Sequence, residues 1–526
     1  MGLIYFLFQD YLCIIRTHSN LFILLLVFIT PLLVLFTQLR RKNNEGSRGS
    51  WRLPPGPNRL PLIGNLHQLG DLPHLSLQKL SYEYGPLMFL RLGLVPTLVV
   101  SSADMAKEIF RTHDLVFSGR PVLYAAKKLS YGCVAISVAP YGEYWREVKK
   151  ITILEMLSAK RVRSFRAVRE EEVAAVIDFV RKSSSSSSSV PINLSEMMLC
   201  LVNNVICRVT FGRKYEGVSN GKSKFHGVLI ETQDLLAGFS TADFFPWMGW
   251  IHKFDGLEAR LEKNFRQLDD FYDKVIDEHL NSQRPNPELE DLVDVLLRIQ
   301  KDPSQGTTLN RDQIKGILTD MFIAGSDTSS ATIVWTMTEL IRNPTVMKRA
   351  QEDVRRNVGN KEVVEESDLP KLSYLKLVIK EAMRLHPPAP LLVPRETTEN
   401  CTIMGYDIPA KTRVFFNAKA IAKDPKYWEN PEVFQPERFL DNNIEFKGHN
   451  FELIPFGAGR RACPGINFAV VLIELVLANL LHCFDWELPP GQKREEVDMR
   501  EASGITMHKK LPLCLVADIA NVGKNA

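Results

Sequence analysis

The chain has 526 residues, 45% of them hydrophobic, and a formal net charge of +4. This length can bury a large core and by itself suggests about three domains of ~150 residues each, whereas the thinly spread charge, with no long basic tract, speaks against a nucleic-acid partner. The eight cysteines (Cys13, Cys133, Cys200, Cys207, Cys401, Cys463, Cys483 and Cys514) form no C-x-x-C pair and no regular framework, which argues against a disulfide scaffold or a structural zinc site.

Gly2 to Ile15 is apolar but contains Gln9 and Asp10, with Arg16 and His18 following, a composition suited to the membrane interface. The stretch from Leu21 to Thr37, containing Pro31, follows. It is near the lower limit of the ~17–25 residues that cross a bilayer. Arg40, Arg41, Lys42, Arg48 and Arg52 come next, and the positive-inside rule then places everything downstream in the cytosol. A cleaved signal peptide is the rival reading; the length of the run and the missing small-x-small site weigh against it. On this topology the sequons at Asn193 and Asn400 occur by chance.

Leu53-Pro54-Pro55-Gly56-Pro57 is a stiff, extended link. Leu87 to Leu92 and Thr97 to Val100 alternate as strands of a small sheet. Tyr144 to Lys150 opens a helix that puts Trp145 and Lys149 on one face, where both can serve an anionic group. The serine tract from Ser183 to Ser189 reads as a surface loop, and the pattern from Asn193 onward is mainly helical. Phe244 to Ile251 interrupts it with aromatics suited equally to a membrane surface and to core packing.

A long apolar helix is predicted from about Arg311 to Ile341, containing Ala324-Gly325-Ser326-Asp327-Thr328. Its small residues leave room beside a flat ligand. A mid-helix threonine commonly bonds back to the carbonyl four residues earlier and bends the helix. Glu381 and Arg384 lie three apart on a helix that His386-Pro387-Pro388 stops; alone, such a pair is an ordinary surface feature worth ~0.2–0.5 kcal/mol. Arg395, after the proline-rich stretch, fits either an anionic ligand or a surface charge. Asn417-Ala418-Lys419-Ala420 and Pro436-Glu437-Arg438-Phe439 come next.

The most informative segment is Phe456-Gly457-Ala458-Gly459-Arg460-Arg461-Ala462-Cys463-Pro464-Gly465, followed at once by an apolar helical run from Ile466 to Phe484. Pro464 suits a first helical position, and the free N–H groups of the helix start then favour thiolate at Cys463. Gly459 and Gly465 allow close backbone approach to a flat ligand. Phe456 can shield the sulfur, and Arg461 offers a planar fork for a carboxylate. These features suit a cysteinate bound axially to haem iron, where a thiolate promotes O–O cleavage. Taken alone, Cys463 would read as a small buried hydrophobe.

The loop and its upstream companions resemble the cytochrome P-450 family of haem-thiolate monooxygenases, in its membrane-bound plant branch. The family's haem loop, F-x-x-G-x-R-x-C-x-G, is filled by Phe456, Gly459, Arg461, Cys463 and Gly465, and the resemblance runs from about Pro54 to near Ala517. It implies a mainly α fold with a small β-rich portion: residues 1–20 an N-terminal segment, 21–37 a transmembrane signal-anchor helix, 38–57 a basic stretch and hinge, and 58–526 one large catalytic domain. By the same resemblance haem b is the cofactor, with Cys463 as the axial ligand of its iron. Trp145, Lys149, Arg395 and Arg461 would meet its propionates, although the family has arginine where Lys149 stands. Thr328 would steady the activated oxygen and Asp327 relay protons. Glu381, Arg384 and Arg438 would form a buried network bracing the haem-binding loop. The plant branch usually has tryptophan at Lys419.

The implied reaction inserts one atom of O2 into a small lipophilic plant metabolite: a terpenoid, alkaloid, phenylpropanoid or amino-acid-derived compound. The chain carries no G-x-G-x-x-G unit after a strand, so electrons from NADPH would come through a separate NADPH–cytochrome reductase on the endoplasmic reticulum membrane, with cytochrome b5 as an optional second donor. Arg146, Lys150 and Arg460 are candidates for the reductase-facing surface. Candidate pocket residues are Val122 to Leu129, Leu236, Phe322, Ala324, Leu391, Leu392 and Ile505. The alternatives are a haem-thiolate dehydratase or isomerase acting on an aldoxime-like substrate, and a non-enzymatic haem sensor or carrier.

Overall fold

In the computed structural model, residues 51–520 are described except 186–189, 215–223, 239, 282–289 and 303–308. Pro54–Ile403 with Ile408–Ala526 makes one compact unit; Met1–Leu53 with Met404–Asp407 makes a second. The expected membrane segment at 21–37 lies outside the described residues.

The large unit is mostly helical, as expected. The elements that build the site are strands β1 (Leu87–Leu92), β2 (Val95–Val100), β3 (Ile192–Asn193), β4 (Arg395–Glu396), β5 (Arg413–Phe416), β6 (Phe484–Glu487) and β7 (Cys514–Ile519), and helices α1 (Glu143–Ile151), α2 (Leu194–Phe211), α3 (Arg311–Arg342), α4 (Ser373–Leu385) and α5 (Ile466–Cys483). One sheet runs β1-β2-β5-β4 and a second β3-β7-β6. β1 and β2 are antiparallel, with Leu87 opposite Val100, whereas β2 and β5 are parallel, with Thr97 opposite Arg413.

Helices α2 and α5 are long and apolar enough to cross a bilayer, yet most of each is buried inside the protein. A helix hydrophobic all round belongs in a core, and α3 packs against both of these. Helix α3 starts with reciprocal capping: Asn310 Oδ1 accepts from the Gln313 N–H and Gln313 Oε1 from the Asn310 N–H, both at 2.8 Å. It then runs unbroken through the core.

Two glycines let other elements press against α3. A Cβ at Gly316 would stand 2.8 Å from Val134 Cγ2, and one at Gly325 would stand 2.8 Å from Ile206 Cδ1 on α2. Gly325 therefore serves helix packing, and the space expected beside it is filled. Of that pair Ala324 is exposed and Gly325 half-buried.

Lys419, where the plant branch usually has tryptophan, is buried and pairs with Glu501, which also sits 2.6 Å from His74 Nε2. Despite burial, these two partners hold the Glu501 carboxyl down at about 2. A buried charge persists only when paired, so Glu501 accounts for a lysine at a site that otherwise suits an aromatic. The aromatic interruption divides its roles. Phe244 packs against the small-sheet core, while Trp247, Trp250 and the nearby Phe254 are 64%, 57% and 80% exposed.

Candidate functional site

The loop from Phe456 to Gly465 is folded by its glycines and by one internal bond. Gly457 and Gly459 have φ of 69° and 67°, a region where a side chain is strained. The Cys463 N–H donates to the Phe456 carbonyl at 2.9 Å, which closes the turn, and the Phe456 ring lies 5.6 Å from that of Phe446. A Cβ at Gly459 would stand 2.3 Å from Asp114 Oδ1. This glycine thus makes way for a carboxylate of the protein rather than for a ligand. Beside Gly465 a Cβ would meet Cys463 Sγ at 3.8 Å, which leaves ordinary room.

Helix α5 begins at Ile466 with Gly465 as its N-cap, two residues later than the start expected at Pro464. The Cys463 side chain is exposed, yet protein packs closely around its sulfur. That enclosure raises its thiol above the ordinary value, outweighing the Gly465 N–H and the positive Lys149 that favour the anion. The Gly465 N–H acts in the expected direction, favouring the anion, but loss of water outweighs it in the protein alone. A cation placed at the sulfur would reverse the balance.

Around this sulfur the structure gathers positive charge. Arg461 is buried with its guanidinium 4.1 Å over the Trp145 ring, and it donates to the carbonyls of Ser118 (2.8 Å), Ile136 (3.2 Å) and Ala139 (2.7 Å). The Trp145 indole N–H also donates to Ile136, at 3.1 Å, and Lys149 Nζ reaches the carbonyl of Arg460. Arg395 is fully buried on β4, not a surface charge. It lies 4.7 Å over Phe110 and 5.5 Å over Phe416 and donates to Ala458 at 2.7 Å.

Sequence reasoning missed Arg120. It donates to Val393 (2.5 Å) and Pro394 (2.7 Å), while its Nε is buried with no partner. The available signal was a lone cation in the otherwise apolar run from Val116 to Leu123.

Burial lowers all four of these cations, and mutual repulsion adds to it for three. Arg395 falls to about 10 and Arg461 to about 9. Two carboxylates offset the group. Asp114 lies 3.5 Å from both Arg395 and Arg460, and Asp320 acts on Arg120. Five cations thus face two acids, with an orphaned guanidinium N–H among them. A dianionic, flat molecule carrying its own metal cation fits this donor set: two carboxylates for the surplus charge and a metal for the sulfur. Haem has that composition.

Residues 136 and 137 join this cluster to α3. The Ser137 N–H and hydroxyl donate to Asp320 at 2.9 and 2.5 Å, one helical turn before Ala324. Thr328 Oγ1 donates back to the Ala324 carbonyl at 2.8 Å, as expected, although α3 stays continuously helical there. Ala324 and Thr328 lie four apart and are accessible while Ser326, Asp327, Ser329 and Ser330 are buried, so they form one open strip. Phe322 is fully buried, its ring 5.8 Å from that of Phe211, and is a core residue rather than a pocket wall. Among the other pocket candidates, Val122 and Ile505 are 59% and 47% exposed, and Leu236 packs against the main core.

The three residues expected to brace the loop do form a buried network. Arg384 meets Glu381 through two bonds of 2.8 Å, and both side chains are 0% exposed. Arg438 Nε joins at 3.0 Å. The remaining arginine donors hold the carbonyls of Ala422, Glu429, Asn430, Pro431 and Val433. The network therefore pins the segment leading into the loop.

The family model described as "Cytochrome P450" matches residues 54–516. Strychnine-11-hydroxylase of Strychnos nux-vomica is 57% identical over 503 residues, covering 95% of this chain and 98% of that protein. Cytochrome P450 71A9 of Glycine max is 60% identical over 496 residues, covering 93% and 98%. Among solved structures, a zebra fish cytochrome P450 studied with abiraterone superposes with a TM-score of 0.70 at 26% identity, covering 85% of this chain and all of that one.

Proposed function

Because this chain belongs to the cytochrome P450 family and is a monooxygenase of its plant branch, we propose that it hydroxylates a small lipophilic plant metabolite, with NADPH electrons delivered by a separate membrane-bound reductase. The observation that carries the reading is the pairing of an exposed Cys463 with a surplus of buried cations beside it. Haem, when bound there, supplies one-electron and oxygen chemistry. Every other task falls to the chain.

Cys463 Sγ would ligate the iron, and Arg120, Lys149, Arg395, Arg461 and Trp145 would hold the propionates. Their donors now rest on nearby backbone carbonyls, so small side-chain rotations suffice to engage a carboxylate. Phe456 and the surrounding loop would shield the sulfur once haem covers its exposed side. Ala324 leaves space on the open strip of α3; Thr328 Oγ1 would present a hydroxyl there, and Asp327, the preceding residue, would serve as a proton donor. Exposed Arg146, Lys150 and Arg460 would meet an acidic reductase surface, with cytochrome b5 as a second donor. The segment at 21–37, with Trp247, Trp250 and Phe254, would seat the protein on the endoplasmic reticulum membrane, the catalytic domain in the cytosol.

The substrate class is tested by a spectral binding screen on membranes carrying the protein, with strychnine as the first ligand and terpenoids, phenylpropanoids and aldoximes beside it. A binding spectrum followed by an oxygenated product with NADPH and reductase supports the reading; product formed without either reagent refutes it. Thr328→Ala is expected to keep haem and to divert NADPH into hydrogen peroxide, with product per NADPH falling about tenfold or more. Unchanged coupling contradicts the role of Thr328.

A further inference from the structure

A cavity of about 280 Å3 lies against α3, lined by Ser195, Ser330 and His508, with the charged Glu196, Lys509 and Lys510 also on its walls. His508 links this cavity to the proposed proton donor. Its Nε2 lies 2.6 Å from Asp327 Oδ1, with the imidazole side chain 38% exposed and the aspartate 7%.

The histidine is held by backbone rather than by chance. Neighbouring Met507 donates to the Pro388 carbonyl at 2.8 Å, and the Trp335 indole donates to the Met507 carbonyl at 2.8 Å. The His508 carbonyl accepts from Ala502 at 2.8 Å. On the helix, Ser330 Oγ donates to the Asp327 carbonyl at 2.8 Å. Ser326 Oγ is buried without a protein partner, a seat for an ordered water.

We propose that His508 is a positioning and proton-passing residue that holds the Asp327 carboxylate and connects it to solvent through this cavity. The proposal rests on the monooxygenase reading, since it supplies protons to that reaction. The step moves no electrons. The imidazolium gives its Nε2 proton to Asp327 Oδ1, leaving a neutral ring and a carboxylic acid. Asp327 then releases that proton toward Thr328, and cavity water reprotonates the ring. Burial alone would favour the neutral ring, but the bond to Asp327 and its charge more than reverse this, so His508 titrates above the ordinary histidine value. Lys509, pushed down to about 8 by burial, is the other cavity group that titrates near neutrality; Glu196 and Lys510 complete the charged set.

The test has two arms. In histidine-labelled, carbon-monoxide-bound protein, NMR follows the His508 ring, identified by its loss in His508→Gln. The ring should titrate above ~6.5, and Asp327→Asn should lower its pKa. In the second arm, purified reductase drives reduction of oxygen to hydrogen peroxide, which takes two electrons and two protons and needs no organic substrate. His508→Gln should keep haem, lower this rate about tenfold and flatten its pH profile between about pH 6 and 9. His508→Arg, which restores the ion pair but cannot shuttle protons, should not rescue it.

Wild-type rate and profile in either variant, or a ring unmoved by Asp327→Asn, overturns the proposal. If His508→Gln does not fold, the Asp327→Asn titration against wild type decides it. A wild-type protein without thiolate-ligated haem would instead refute the monooxygenase reading, and the ring titration would still report on the pair.

Discussion

Arg384→Ala is expected to give protein that accumulates but retains no haem. Arg384 satisfies both oxygens of a fully buried carboxylate and three backbone carbonyls between residues 422 and 433. Removing it strands the Glu381 charge, with only Arg438 and the Gln435 N–H still attached. Breaking a buried pair in this way costs about 3–5 kcal/mol, against a total stability of roughly 5–15 kcal/mol. The damage would be local to the segment feeding the cysteine loop, so the haem site should fail before the helical core. Arg384→Lys should do little better, because one ammonium cannot span the carboxylate and three carbonyls. The check is the ratio of haem absorbance to protein. A wild-type ratio in the alanine variant would contradict the bracing role.

Cys463→Ser should reduce NADPH-dependent product formation to the level of a control without enzyme. A serine hydroxyl stays protonated where a thiol can be ionised by a metal, and it is a harder, weaker donor. Some haem should nevertheless remain bound, because the surplus cations Arg120, Lys149, Arg395 and Arg461 do not depend on the sulfur. Turnover and haem content are therefore expected to separate in this variant. Persistence of turnover would place the ligand elsewhere.

Much of this site was legible in the sequence because its motifs are local. The loop ending in Gly465 and the Thr328 back-bond depend on spacings of four to ten residues, which periodicity and turn chemistry expose; the Glu381–Arg384 pair reads as a surface feature until the family resemblance implies its bracing role. What escaped was set by contacts between distant segments. Arg120 acquires meaning only when the chain returns at Val393 and Pro394. His508 meets Asp327 across 181 positions. Gly325 reads as space beside a ligand until Ile206 of α2 is found in it. The desolvation around the Cys463 thiol, which opposes the local pull of the Gly465 N–H, is likewise set by the whole fold. Lys419 looked anomalous for want of its remote partner Glu501.

Bonding of Cys463 as a thiolate to haem iron is read most directly from the difference spectrum of the reduced wild-type protein with carbon monoxide. The account predicts a Soret band displaced far to the red, the mark of a cysteinate opposite the gas. A band at the position given by histidine- or thiol-ligated haem, or no haem band at all, would contradict it.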